Sequence, residues 1–124
     1  MKQEDKDLLL KDLCARLPYG VKVQAFDYEL NESVETLFSI DMDGYTCTLE
    51  CDTLKPTHKP YLLPLSSMSE EQSKEYHELI SGMFGTSALI NFEVLEDFFH
   101  KNHFDYRGLI EKGLANDATG LNIY

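Results

Sequence analysis

Apolar residues recur every three or four positions in three stretches of the chain, the spacing of helices that bury one face. The first predicted helix runs from about Asp5 to Leu17. It ends there because Pro18 cannot continue the helical hydrogen-bond ladder. Its predicted buried stripe consists of Leu10, Leu13, Cys14 and Leu17. This pattern indicates a helix that packs one side against a core.

Two further helices are predicted later in the chain. One begins at Ser69, since Ser-Glu-Glu-Gln fits a capping box in which the Ser69 hydroxyl and the Gln72 side chain satisfy exposed backbone N–H groups. Gly82 and Gly85 mark its end. The other runs from about Asn91 to Lys101. The residues that we expect these two helices to bury are Tyr76, Leu79, Ile80, Met83, Phe92, Leu95, Phe98 and Phe99.

Alternating apolar and polar residues predict three strands between residues 21 and 51. The first contains Val21, Val23 and Ala25. The next two flank Asp43-Gly44, the preferred pair for a two-residue type I′ turn. With that turn, the predicted buried pairs are Met42 with Tyr45, Ile40 with Cys47, and Phe38 with Leu49. The pairs on the opposite face are Asp41 with Thr46, Ser39 with Thr48, and Leu37 with Glu50. A one-residue slip would break both sets, so the pattern specifies this register.

A proline-rich segment separates the strands from the later helices. It runs from Thr53 to Met68 and carries Pro56, Pro60 and Pro64, which argue against a helix or a central strand. The segment is also too apolar to lie free in water. We expect an extended arm across the surface, whose core-facing residues are Tyr61, Leu63 and Leu65.

These elements predict a single α+β domain over residues 1–124. Its sheet is a three-stranded antiparallel meander, and about three helices pack on one face. Residues 113–124 have little pattern and are expected to form a loosely docked tail.

Composition narrows the class of protein. The chain has 124 residues, of which 43% are hydrophobic, as in an ordinary globular domain. No apolar run reaches the roughly 18 residues of a membrane span, and the first residues lack the apolar core of a signal peptide. The net charge of −11 argues against direct binding to nucleic acid or to an anionic membrane, because both need clustered Lys and Arg.

The negative charge is uneven. Residues 23–54 contain eight carboxylates and no basic residue. One explanation is the solvated face of a sheet. The other is a surface that binds a basic partner or mimics nucleic acid.

The three cysteines, Cys14, Cys47 and Cys51, are interpreted as small buried apolar groups. Cys47 and Cys51 lie four apart on a predicted strand, about 13 Å, which is too far for a disulfide. We therefore expect a cytoplasmic protein without disulfides.

Reactive side chains concentrate at the end of the last predicted helix and just after it, at His100, His103, Asp105, Tyr106 and Arg107. The two histidines share a helix face and could hold a metal ion with Asp105 and His77, but helix capping and packing are the favoured interpretation. Arg107 could bind a carboxylate or phosphate through its planar fork. Alternatively, it ties the chain to Asp105 or to carboxylates of the sheet. No catalytic residue, metal or cofactor is assigned.

Two stretches resemble a known group of proteins: residues 59–68 (KPYLLPLSSM), followed by an acidic helix, and residues 103–110 (HFDYRGLI). They resemble a family of small uncharacterised proteins of gut Bacteroides and their phages and mobile elements. The likeness covers much of the chain from the Asp43-Gly44 hairpin to Ala115. It implies an intracellular accessory or mobile-element protein and no particular activity.

Two functional hypotheses follow. The favoured one is a small acidic accessory protein that binds another protein, with a basic surface as the expected partner chemistry. The alternative is a ligand-binding domain or enzyme that uses His100, His103, Asp105 and Arg107. The second requires these side chains to converge in one pocket.

Overall fold

The computed structural model describes residues 2–26, 29, 31–40, 46–48, 58–82 and 88–124. These residues form three helices and six strands, so the predicted α+β class is confirmed. The helices are α1 (Gln3–Arg16), α2 (Glu70–Gly82) and α3 (Ala88–Lys101). The strands are β1 (Lys22–Phe26), β2 (Glu32–Ile40), β3 (Thr46–Thr48), β4 (Lys59–Pro64), β5 (Phe104–Asp105) and β6 (Asn116–Asp117).

The sheet is larger than the predicted meander. Its strand order is β3-β2-β1-β4-β5, and β6 also pairs with β4. The pairs β1–β2, β2–β3 and β1–β4 are antiparallel, whereas β5 and β6 run parallel to β4. The three predicted antiparallel strands are present, but they form one side of a mixed sheet.

The proline-rich segment was wrongly predicted to avoid the interior of the sheet, since its part Lys59–Pro64 is strand β4. Proline is tolerated here because β4 pairs with each neighbour over only two residues. The non-proline residues of β4 keep their backbone N–H groups, and that of Leu63 donates to the His103 carbonyl at 2.8 Å. Tyr61 is buried as predicted, whereas Leu65 is exposed.

The predicted hairpin register is also wrong. Leu37 pairs with Thr48, Ser39 with Cys47, and Ile40 with Thr46, with a register shift between Leu37 and Ser39. Phe38 is the extra residue of a β-bulge. The bulge shifts which side chains of β2 face the core, whereas the prediction assumed regular alternation along the whole strand. The predicted turn, Asp43-Gly44, lies outside the described residues.

The bulge decides which side chains of the hairpin are buried. Leu37 is buried, Ile40 packs against the same core, and Phe38 points to solvent. Thr46 and Thr48 are buried instead of solvent-facing. The Thr46 hydroxyl lies 2.5 Å from His58 Nδ1, so this buried hydroxyl keeps a polar partner.

Helix α1 buries Leu13, as predicted, but the rest of its buried stripe differs from the predicted one. Its buried residues are Leu9, Asp12, Leu13 and Arg16, whereas Cys14 is exposed. The run Leu8-Leu9-Leu10 offers three faces of similar apolarity, so spacing alone did not select the correct one. The chosen face brings an acid and a base, Asp12 and Arg16, into the interior.

The start of α2 is as predicted. Ser69 N donates to Gln72 Oε1 at 2.9 Å, and Gln72 N donates to Ser69 Oγ at 3.2 Å. Helix α3 begins at Ala88, about one turn earlier than predicted. Gly85 and Met83, which were assigned to the end and the stripe of α2, lie outside the described residues.

Two apolar clusters hold these elements together. The first joins α1 to the sheet, and its buried members are Leu9, Leu13, Val21, Val23, Leu37, Leu62, Leu109, Leu114 and Ala115. The second surrounds β5 and joins it to α2 and α3, and its buried members are Leu95, Phe98, Phe99 and Phe104. The segment between β5 and β6 therefore contributes to the main core.

Residues 113–124 contact the domain at several points. Leu114, Ala115 and Ala118 are buried, and Ala118 N donates to the Leu62 carbonyl at 2.8 Å.

Among the residues described, no helix combines the length and apolarity that crossing a membrane would require.

Candidate functional site

A buried group of polar residues lies where α1 and α3 meet the chain after β5. We call it the polar cluster: Asp12, Arg16, His100, Tyr106 and Arg107. One carboxylate binds both arginines of the chain, because Asp12 Oδ2 accepts from Arg16 Nε at 2.7 Å and Asp12 Oδ1 from Arg107 Nε at 3.1 Å. The side chains of Asp12 and Arg16 are 0% exposed, and that of Arg107 is 17% exposed.

Arg16 is held by more than its ion pair. Its Nη2 donates to the Phe104 carbonyl at 2.6 Å, which fastens α1 to β5. Its Nη1 is buried and has no hydrogen-bond partner among the described residues. Because Asp12 and Arg16 are one helical turn apart, α1 presents both on the same face.

Tyr106 connects the arginines to His100. Its hydroxyl accepts from Arg107 Nη2 at 2.9 Å and lies 2.8 Å from His100 Nε2. A guanidinium can only donate, so the Tyr106 hydrogen is free to point at the histidine nitrogen. The Tyr106 ring stacks on Phe99 at 4.9 Å, and the Arg107 guanidinium lies 4.9 Å from the ring centre. These contacts fix the ring between α3 and the arginines.

Burial and positive charge perturb the ionisation of this cluster. Burial, followed by the charge of Arg16, lowers the pKa of His100, which therefore stays neutral and can accept the Tyr106 hydrogen bond. Burial also raises the pKa of Tyr106. Both groups are thus held in uncharged forms beside two permanent cations.

Asp105 lies apart from the polar cluster's hydrogen bonds. Its Oδ1 accepts from Leu109 N and its Oδ2 from Ile110 N, each at 2.9 Å. It therefore closes the turn that contains Gly108, whose φ of 74° suits glycine. Arg107 pairs with Asp12 rather than with Asp105 or a carboxylate of the sheet.

His103 also has a separate environment. α3 ends at Lys101, and His103 has a φ of 61°, so the chain turns before the two histidines can share a helix face. The His103 ring stacks on Tyr124 at 3.5 Å. Burial, followed by the charges of Arg16 and Lys22, lowers the pKa of His103 to about 4. In the described part of the chain, no group of three His, Cys, Asp or Glu is arranged to hold a metal ion.

Tyr124 completes the junction between β1 and β4. Its hydroxyl accepts from Lys22 N at 2.8 Å and donates to the Tyr61 carbonyl at 2.6 Å. Burial raises the pKa of Tyr124 to about 12. A pocket of about 170 Å³ lies beside it, lined by Leu63, Ala118, Gly120, Asn122, Ile123 and Tyr124. It is smaller than typical ligand pockets of about 300–1,000 Å³.

The structure therefore brings together three of the five predicted site residues: His100, Tyr106 and Arg107. It separates Asp105 and His103 from them. Asp12 and Arg16, which complete the cluster, were missed in the sequence. Their i, i+4 spacing was the available signal, together with the presence of only two arginines in the chain.

A second candidate is the solvent-facing surface of β2. Phe38 is 58% exposed at the bulge, and Val34 on the same strand is 40% exposed. We call these two residues the β2 patch. Large apolar side chains in such positions are candidates for contact with another molecule.

Comparisons with protein-family models, curated proteins and solved structures gave no match for this chain. The resemblance to the Bacteroides family stays a prediction.

Proposed function

We propose that this chain is a small acidic accessory protein that acts by binding another protein through the β2 patch. The observation that supports this proposal best is the 58% exposure of Phe38 at the bulge. The expected partner presents a basic surface with an apolar recess.

The bulge supports a functional role for Phe38. An unbroken strand that buried Phe38 together with Ile40 would turn Leu37 to the opposite, exposed face. The bulge instead turns Phe38 outward and keeps Leu37 and Ile40 at the core. Aromatic side chains are frequent anchors of protein interfaces, so this exposed ring suits a binding surface.

Charge supports a basic partner. The β2 patch lies within residues 23–54, which carry eight carboxylates and no basic residue. Of these, Glu29 and Glu32 are exposed. Complementary charge would speed association and disfavour acidic partners.

The polar cluster favours interaction over catalysis. His100, Tyr106 and Arg107 hydrogen-bond to each other or to Asp12. Such mutual pairing suits side chains that hold α1, α3 and β5 together. It leaves the β2 patch as the better-supported functional surface.

The compartment that we propose is the cytoplasm. Cys14 is a free, exposed thiol, and reducing compartments keep such thiols reduced. A role as an accessory protein of a mobile element rests on the resemblance of the KPYLLPLSSM and HFDYRGLI stretches alone.

The proposal can be tested by cross-linking capture from a Bacteroides lysate, followed by binding measurements with the purified captured protein. We expect Phe38→Ser to weaken that binding about thirtyfold or more, because truncating an interface anchor costs about 2 kcal/mol or more. Affinity should also fall as salt is raised.

The matched control is Val94→Ser, which truncates a similarly exposed apolar residue on α3. It should bind like the unaltered protein. Equal affinity of the Phe38→Ser and unaltered proteins, or a captured protein with an acidic contact surface, would overturn the proposal.

A further inference from the structure

The charges of the polar cluster do not balance among its own members. Two guanidinium groups share the single carboxylate of Asp12. Asp105 is nearby in sequence, but both of its oxygens accept backbone N–H groups. Within the described residues, the arginines form no ion pair except those with Asp12. One positive charge therefore lacks a directly bound counter-charge.

The geometry also leaves one donor without an acceptor. Arg16 is fully buried, and its Nη1 has no hydrogen-bond partner among the described residues. Leaving a buried donor unsatisfied costs about 1–3 kcal/mol, and more when the group is charged. This position is therefore suited to an oxygen acceptor, and a negative one would also balance the charge.

The charge of Arg16 also acts on the ionisation of the two nearby histidines. The charge of Arg16 lowers the pKa of both His100 and His103, in each case after burial. Asp12, followed by Glu96, acts on His100 in the opposite direction, and Glu96 makes no ion pair with either arginine among the described residues. After burial, the charge of Arg16 is thus the largest influence on the pKa of each histidine.

We propose that Arg16 and Arg107 form a binding site for a small oxyanion of the phosphate or carboxylate class. Arg107 is the partly exposed arginine and Arg16 is fully buried, so this site requires the anion to enter beside Arg107 and the packing around Nη1 of Arg16 to open. Guanidinium groups suit such ligands because their planar donors match two oxygens at once. This inference is independent of the β2 patch and of the proposed protein partner.

Because the chain contains only two arginines, labelling arginine reports on Arg16 and Arg107 alone. Protein labelled with ¹⁵N-arginine is titrated with sodium phosphate or sodium acetate, against sodium chloride at equal ionic strength. We expect a saturable shift of the Arg16 side-chain signals with phosphate, acetate or both, and none with chloride. The melting temperature should rise over the same concentration range. The anion that acts at lower concentration identifies the ligand class.

Arg107→Lys keeps the charge but removes the planar fork, so we expect anion affinity to fall about tenfold. Lys112→Gln removes an exposed positive charge elsewhere and should leave affinity unchanged. If Arg107→Lys does not fold, the titration of the unaltered protein still tests whether the arginines bind an anion. Chloride acting as strongly as both oxyanions, or no saturable shift of either arginine, would overturn the site in favour of a buried water at Nη1.

Discussion

At the scale of single residues, Asp12 connects parts of the chain that are far apart in sequence. It pairs with Arg16 one turn away on α1 and with Arg107, 95 positions later. Each contact is a charge-assisted hydrogen bond to a different carboxylate oxygen. The carboxylate is fully buried, so water cannot replace it if it is removed.

We therefore expect Asp12→Asn to be strongly destabilising. The substitution leaves two guanidinium groups in the interior without their counter-charge, and breaking a buried pair in this way costs about 3–5 kcal/mol. Urea unfolding followed by circular dichroism would measure the change in the free energy of unfolding.

Asp7→Asn is the control for Asp12→Asn. Asp7 lies on the same helix but is exposed, and it accepts a hydrogen bond only from Gln3 among the described contacts. Its loss should change stability by less than about 0.5 kcal/mol. A similar small effect of Asp12→Asn would show that Asp12 does not hold the cluster together.

At the scale of elements, the pairing of β1 with β4 depends on a side chain that joins the two strands beyond their last paired residues. The β1–β4 pairing covers only Val23 with Pro60 and Gln24 with Lys59. Beyond it, the Tyr124 hydroxyl joins Lys22 N to the Tyr61 carbonyl and substitutes for a direct strand-to-strand bond. Residues 113–124 thereby support the centre of the sheet.

Tyr124→Phe should therefore loosen this junction without removing the aromatic ring from His103. Two backbone groups lose their partner, and we expect a loss of about 1–2 kcal/mol in the free energy of unfolding. Hydrogen exchange of the Lys22 amide, measured by NMR, should become faster.

Tyr19→Phe provides the control for this substitution. The Tyr19 hydroxyl donates to Asp97 at an exposed position, so its loss should cost less than about 0.5 kcal/mol. Unchanged exchange at Lys22 in Tyr124→Phe would mean that the hydroxyl does not bridge the strands in solution.

At the scale of the whole molecule, stability depends on two histidines that stay neutral inside a chain of net charge −11. The pKa of His103 is about 4 in the folded protein, against 6.5 for an unperturbed histidine. Between these values the unfolded chain binds more protons than the folded one. The contribution of neutral His103 to stability is therefore fully present above pH 6.5 and is lost as the pH is lowered toward 4.

We expect His103→Asn to flatten this dependence. Asparagine tolerates the positive φ of this position but has no group that titrates there. Urea unfolding between pH 7 and pH 4.5 should show a smaller loss of stability for His103→Asn than for the unaltered protein. His77→Asn, at an exposed position on α2, is the control and should keep the original slope. Identical slopes for all three proteins would contradict a neutral, half-buried His103.

Local sequence determined those features whose causes lie within a few residues. The capping box at Ser69, the alternation of β1 and the apolar face of α3 each arise from neighbouring side chains, and each was predicted. Within the candidate site, His100, Tyr106 and Arg107 were found because they are close together in the chain. Their contacts follow from the end of α3 and the turn after it.

The tertiary structure decided the rest, because the deciding contacts join distant residues or depend on competition between similar alternatives. Three consecutive leucines make it impossible to choose the buried face of α1 from spacing alone. The buried face is the one on which Asp12 pairs with Arg107 and Arg16 binds the Phe104 carbonyl. The bulge at Phe38 depends on the pairing of β2 with β3, which alternation alone does not reveal. Strand β4 tolerates its prolines because it pairs with each of three other strands over only two residues, so no long ladder of backbone hydrogen bonds is interrupted. Short-range spacing therefore specified the elements, whereas long-range charge pairing and strand pairing specified the site.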